Sequence, residues 1–259
     1  MKRRQVFELT DLAWWPDLLR SLLTDYLGSA EALVRPYDAK LGLLVDALRA
    51  TGSHQVVDLC SGAGGPWLRL RDPIAAQVGP ELHVLLTDRY PSPSARDRVG
   101  QGGPLRYHPD PVDATAVPPE LSGMRTLFDS FHHFPPEAAR RILRDAVERR
   151  EGIAIYESLR RSPLLFALAL LTFTWVWLLT PFVRPFRWSR LLLTYVVPIA
   201  PFAIAWDGAM SILRCYTPDE LLALARSVEG PRYHWVAGTY WARIVPVTYL
   251  VGWPIDTDM

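Results

Sequence analysis

The chain has 259 residues, 49% of them hydrophobic, enough for a sizeable core in one large domain or one domain with a long insertion. Lys plus Arg total 28 and Asp plus Glu 27, so the net charge of +1 lacks the basic excess that a nucleic-acid partner demands. Two cysteines, Cys60 and Cys215, exclude a disulfide framework and a multi-cysteine zinc site, and suit a reducing cytoplasm.

In chain order, Met1-Lys2-Arg3-Arg4 is followed by Gln5, Glu8 and Asp11 where a signal peptide needs an apolar run, so no signal peptide is expected. Residues 6 to 50 read as helices. Asp11 to Leu23 carries apolar residues at helical spacing with Pro16 suited to a first turn, and Leu41, Leu44, Val45 and Leu48 share a later helical face. The period then changes. Short strands are predicted at 54–59, 82–87, 125–128 and 152–156, with an amphipathic helix from Pro136 to Arg150 that turns Ala139, Ile142, Leu143, Ala146 and Val147 inward. Alternating strands and helices imply a parallel sheet covered on its faces, with ligands at the carboxyl ends of the strands. After an interruption at 163–206, Thr217 caps a helix from Pro218, and strands near 233–241 and 245–250 complete the sheet.

The run Val56-Val57-Asp58-Leu59-Cys60-Ser61-Gly62-Ala63-Gly64-Gly65 joins a strand to a helix through glycines, which let a backbone approach a ligand closely. An acid before the glycines would repel a pyrophosphate but suits a cationic amino group, and G-x-G-x-x-G is absent. Asp88, at the end of the next strand, is placed to accept hydrogen bonds from ribose hydroxyls.

This pair resembles the cofactor site of class I S-adenosylmethionine-dependent methyltransferases. The loop matches their D-x-G-x-G-x-G pattern with Cys60 in place of the first glycine. The resemblance implies S-adenosylmethionine as cofactor, held by Asp58, Cys60, Ser61, Gly62 and Gly64, by Asp88 with Arg89, by Asp113 and Ala114 near adenine, and by Ser130 at the fourth strand exit beside the methyl donor. A closer likeness is to a bacterial subgroup with a D-L-C-S-G-A-G-G loop. It shares an aromatic N-terminal segment, here Trp14-Trp15-Pro16 before Thr24-Asp25-Tyr26, and a D-G-x-x-S-x-L-R segment, here Asp207 to Arg214.

His132 and His133 follow the fourth strand. They read as a base, a metal ligand or an ordinary loop pair; no third ligand at suitable spacing is evident, so no metal is expected. A proton-transfer or substrate-orienting role makes them the catalytic candidates. Trp14, Tyr26, Phe131 and Asp207 are candidate substrate contacts, set against plain packing for the aromatic residues and a surface ion pair between Asp207 and Arg214.

From Leu164 to Val183 there is no charge, the length of a membrane span. A second uncharged stretch, Leu191 to Trp206, is shorter and broken by Pro198 and Pro201. Between them Arg184, Arg187 and Arg190, without an acid, oppose translocation. Two true spans, a hairpin dipping into one leaflet and a soluble apolar lid compete; the dipping hairpin, with arginines and tryptophans among the headgroups, is expected.

The sequence therefore predicts a Rossmann-like α/β methyltransferase sheet with flanking helices. Residues 1–50 form an N-terminal helical cap, 51–162 the cofactor-binding core, 163–206 an apolar helical hairpin and 207–259 the helix and strands that complete the core. The expected function is methyl transfer to a lipophilic small molecule or lipid at the cytoplasmic side of the inner membrane, with a soluble cytoplasmic enzyme as second choice. A non-catalytic membrane module of the same fold and an NAD(P)-dependent oxidoreductase are the rivals.

Overall fold

Val56 and Val57 are followed by Asp58 in a strand with no polar alternation, as a strand covered on both faces requires. The computed structural model describes residues 1–100 and 102–255. Their contacts form two compact units, Met1–Val34 with Leu159–Tyr216, and Arg35–Ser158 with the chain from Thr217.

The second unit holds a seven-stranded sheet in the order β3-β2-β1-β4-β5-β7-β6. β1 (Gln55–Asp58), β2 (His83–Leu86), β3 (Leu105–Tyr107), β4 (Met124–Phe128) and β5 (Ile153–Glu157) run parallel, Asp58 lying opposite both Leu86 and Thr126. Their carboxyl ends therefore open on one edge. β6 (Tyr233–Ala242) and β7 (Val245–Pro254) form an antiparallel hairpin, and β7 pairs antiparallel with β5. That inserted strand separates the sheet from the dinucleotide-binding order 3-2-1-4-5-6. β3 was not predicted: it has three residues, and only Tyr107 is buried, so it carries no alternation to read.

Helices α2 (Gly42–Thr51), α3 (Trp67–Val78), α4 (Pro93–Val99), α5 (Pro136–Glu148) and α9 (Pro218–Arg226) belong to this unit. Of the predicted faces, Leu44, Val45 and Leu48 in α2 and Ala139, Ile142, Leu143, Ala146 and Val147 in α5 are buried, while Leu41 precedes α2 and is half-buried. Gly52 stops α2 in the left-handed region, its N–H 3.2 Å from the Arg49 carbonyl. Thr217 starts α9 with a reciprocal cap: Glu220 N–H donates to Thr217 Oγ1 at 3.3 Å, and Thr217 N–H donates to Glu220 Oε2 at 2.9 Å.

The first unit joins α1 (Asp17–Val34) to α6 (Pro163–Leu179), the short α7 (Trp188–Leu191) and α8 (Ile199–Arg214). Trp15, Leu19 and Leu23 pack with Ala203. Ser162 caps α6 and Pro163 fills its first position. Pro163–Phe182, 20 residues, is long and apolar enough to cross a membrane by length and composition, yet within α6 only Ala169 and Val176 are buried. The second apolar stretch is broken, as its prolines foretold: Trp188–Val196 and Ile199–Arg214 meet at 83°.

Two expectations need correction here. The turn arginines do have an acid, because Arg187 Nε and Arg190 Nη2 lie 3.0 and 2.6 Å from Asp25 Oδ2, a partner 162 and 165 residues away along the chain and so invisible to local spacing. Asp207 and Arg214 are not a surface ion pair. Asp207 is buried and accepts from Leu9 N–H at 2.7 Å and from Thr10 N–H and Oγ1, while buried Arg214 pairs with Glu8 at 2.9 Å and Asp11 at 2.6 Å. The N-terminal segment is thus held by α8 through charge, and the Asp207 carboxylate is engaged in that hold. Tyr26 is likewise engaged internally: it is buried with its hydroxyl on Thr180.

Candidate functional site

Asp58 ends β1 fully buried. Its Oδ1 accepts from Thr126 Oγ1 at 2.6 Å and Trp67 Nε1 at 3.1 Å, and its Oδ2 lies 2.6 Å from Ser61 Oγ. Burial pushes its carboxyl up to about 7 against those three hydrogen bonds, with the charge of Asp88 adding to the rise. The side chain therefore shapes the glycine loop from within, where an outward carboxylate for a cationic amino group was expected.

The loop turns sharply. Cys60 has φ +61°, the left-handed region in which the family pattern places glycine. Gly64 has φ +107°, and a side chain there would also sit 3.1 Å from Leu68. Gly62 is gripped from both sides: its N–H donates to Asp88 Oδ2 at 2.8 Å, and its carbonyl accepts from the Tyr107 hydroxyl at 2.9 Å. Tyr107 comes from the unforeseen β3 and was missed for that reason.

The other predicted cofactor residues gather at the same edge. Burial pushes the Cys60 thiol up, with the carboxylates of Asp88, Asp58 and Asp113 adding to it and the Ser130 hydroxyl opposing. Residues from the exits of β1, β2 and β4 and from the loop after β3 thus share one neighbourhood. Val112 N–H donates to the Asp88 carbonyl at 2.9 Å, which brings Asp113 and buried Ala114 alongside β2. Exposed Asp113 accepts from Thr115 N–H at 2.8 Å, and Arg89 lowers its carboxyl further. Ser61 is buried on the loop. The donor set fits an adenosyl amino-acid cofactor: half-exposed Asp88 can accept from ribose, and the glycine backbone leaves room for close approach.

Beyond Ser130 the chain forms a single tight turn, Phe131–His133. Glu157, the last residue of β5, accepts from the backbone N–H groups of Phe131 at 2.7 Å and His132 at 3.2 Å through Oε1. Its Oε2 lies 2.5 Å from His132 Nδ1. Both side chains are buried. Burial alone would raise the Glu157 carboxyl, but the adjacent His132 outweighs it and holds the group below its usual value. The His133 ring lies tilted against that of His132, centroids 4.4 Å apart, and is half-exposed, so the two predicted histidines are not equivalent. Phe131 is wholly buried. Glu157 was missed, although it occupies the place that singled out Asp58 and Asp88, an acid at the carboxyl end of a buried strand.

A second brace lies beside it. Asp129 has φ +46°, and its carboxylate accepts from Ser158 N–H at 2.5 Å, from Ser158 Oγ at 2.6 Å and from the Tyr37 hydroxyl. It ties the exits of β4 and β5 together. Trp14, Tyr26 and Asp207 lie in the other compact unit, Trp14 being 72% exposed.

With Nδ1 hydrogen-bonded to a carboxylate, the basic nitrogen of the His132 ring is Nε2, an arrangement that can take a proton and stabilise the resulting imidazolium.

No protein-family model matches the sequence, and no curated protein does. Among solved structures the chain is similar to the mitomycin 7-O-methyltransferase, with TM-score 0.54 and 15% identity over 96% of this chain and 61% of that one. It is similar to human N-acetylserotonin methyltransferase in complex with S-adenosylmethionine, with TM-score 0.53 and 13% identity over 92% of this chain and 56% of that one. A putative Zn-dependent alcohol dehydrogenase from Rhodobacter sphaeroides gives TM-score 0.52 and 14% identity over 92% of this chain and 98% of that one. The chain spans 61% and 56% of the length of the two methyltransferases. At these identities the likeness concerns architecture, and the architecture is the Rossmann-like α/β fold of the class I methyltransferases.

Proposed function

We propose that this protein is an S-adenosylmethionine-dependent methyltransferase acting on a hydroxyl group of a lipophilic small molecule or lipid, at the cytoplasmic surface of the inner membrane. The observation that carries the reading is the buried His132–Glu157 pair at the exits of β4 and β5, on the sheet edge where the Asp58 to Gly65 loop also opens. Asp88, with Arg89 beside it, would hold the ribose, Asp113 and Ala114 the adenine, and Cys60, Ser61, Gly62, Gly64 and Ser130 the amino-acid end. When bound there, the cofactor would supply an electrophilic methyl group on a sulfonium whose leaving form is a neutral thioether. A neutral hydroxyl is a poor nucleophile near pH 7, so its proton must be taken as it attacks. Glu157 keeps His132 in the tautomer that presents Nε2, which accepts that proton, and Glu157 then balances the imidazolium charge. His133 would border the acceptor.

The lipophilic acceptor and the membrane surface are supported by α6. A helix apolar on every side belongs in a core or in lipid, and this one is largely unburied. Calorimetric titration of the purified protein tests the cofactor assignment. S-adenosylhomocysteine is expected to bind and NADH to give no heat; binding of NADH without a response to S-adenosylhomocysteine would overturn it in favour of a nicotinamide enzyme.

A further inference from the structure

A helix that ends in water leaves its last carbonyls to solvent. The end of α6 does not. Val176 O accepts from Thr180 Oγ1 at 2.7 Å and Trp177 O from the Tyr195 hydroxyl at 2.6 Å. In the turn beyond, Val183 O and Pro185 O both accept from Arg190 Nη1, at 2.9 and 2.8 Å. The Tyr26 hydroxyl meets Thr180, and Asp25, one residue earlier on α1, takes both Arg187 and Arg190. Asp25 and Arg190 are buried. The outer surface of the same turn is aromatic: Phe182 is 76%, Phe186 45% and Trp188 77% exposed. Apart from Arg190 Nε and Trp177 Nε1, which are buried without a hydrogen-bond partner among the described residues, these polar groups are paired internally beneath an exposed apolar surface, as suits a segment that leaves water for lipid, where an unpaired carbonyl or charge is costly.

We infer that the turn from Thr180 to Arg190 is a preformed membrane anchor, whose Phe182, Phe186 and Trp188 enter the boundary between acyl chains and headgroups of an anionic bilayer. The inference rests on the membrane-surface reading above and deepens it. Arg187 and Arg190 are internal struts, locked by Asp25, and do not serve as lipid ligands. Exposed Arg184 is the basic group of the turn that reaches the lipid phosphates, its long stem lying along the apolar surface. Tryptophan and phenylalanine settle at that depth because their rings are apolar while the indole N–H prefers the wet side.

The test uses the full-length protein and vesicles of phosphatidylcholine and phosphatidylglycerol in equal parts, with bromine on the acyl chains to quench nearby tryptophan. The fluorescence difference between wild type and Trp188→Phe is expected to be quenched. Phe182→Ser/Trp188→Ser, at exposed positions, is expected to lower vesicle partition about tenfold or more. The neutral triple variant Asp25→Asn/Arg187→Met/Arg190→Met is expected to partition within about threefold of wild type, because it removes no lipid ligand. An unquenched Trp188, full binding by the serine pair, or loss of binding in the neutral triple with a native circular dichroism spectrum would each overturn the anchor. Wild type that binds no vesicles would remove the membrane reading as well, and leave the cofactor titration untouched.

Discussion

Glu157 Oε2 lies 2.5 Å from His132 Nδ1 while Glu157 Oε1 accepts the backbone N–H groups of Phe131 and His132. One carboxylate thus fixes the ring, its tautomer and the turn that carries it.

Asp88 serves both the loop and the proposed ribose. Asp88→Ala removes the acceptor of Gly62 N–H together with that of the sugar hydroxyls. Its affinity for S-adenosylhomocysteine, measured by calorimetry, is expected to fall by about 1.5–3 kcal/mol. Asp88→Asn, which keeps one acceptor oxygen, is expected to lose less. Equal affinity in a folded Asp88→Ala variant would place the ribose elsewhere.

Cys60 stands in a glycine conformation, so the backbone rather than the thiol sets what is tolerated. Cys60→Gly relieves the left-handed strain but loosens the unfolded chain, and the two effects, each about 1 kcal/mol, nearly cancel. Cys60→Val puts a β-branched side chain at the same φ and is expected to cost about 1–3 kcal/mol. Thermal unfolding decides between them; equal midpoints for both variants would refute the backbone argument.

Asp58 gives a pH dependence with a definite sign. Its folded-state value of about 7 is above the ordinary carboxylate value of 3.8. The folded protein therefore holds that proton more tightly than the unfolded chain. The associated stability is fully present below about pH 4 and is lost as pH rises toward 7. Asp58→Asn mimics the protonated form. Relative to wild type it is expected to gain stability steadily from pH 4 to pH 8, by up to about 4 kcal/mol. Urea unfolding across that range reads the difference, and a flat difference would contradict the burial argument.

The parts of the fold that were legible in the sequence are those written in local pattern. β1 shows as Val56-Val57-Asp58, α5 by its 3.6-residue apolar period, and α9 by Thr217 with Glu220 three residues on. The cofactor edge was legible because Asp58 and Asp88 close apolar strands beside glycines. Glu157 follows the same rule but lacks a glycine loop to draw attention to it. Tyr107 was hidden by the brevity of β3. The partners of Asp207, Arg187 and Arg190 lie more than 150 residues away, and no spacing rule reaches that far. The uncharged run at 164–183 was plain, whereas the pairing of two of its turn arginines with Asp25 emerges only once α1 is folded beside it.

The measurement that bears most directly on the central claim is transfer of radiolabelled methyl from S-adenosylmethionine into a total lipid extract of bacterial membranes, by the full-length protein. Wild type is expected to label an organic-soluble product. His132→Ala and Glu157→Gln are expected to lose about a hundredfold or more of that rate while keeping affinity for S-adenosylhomocysteine, as loss of a base and of its tautomer partner requires. His133→Ala is expected to keep most of the rate. Undiminished transfer by both His132→Ala and Glu157→Gln would contradict the account.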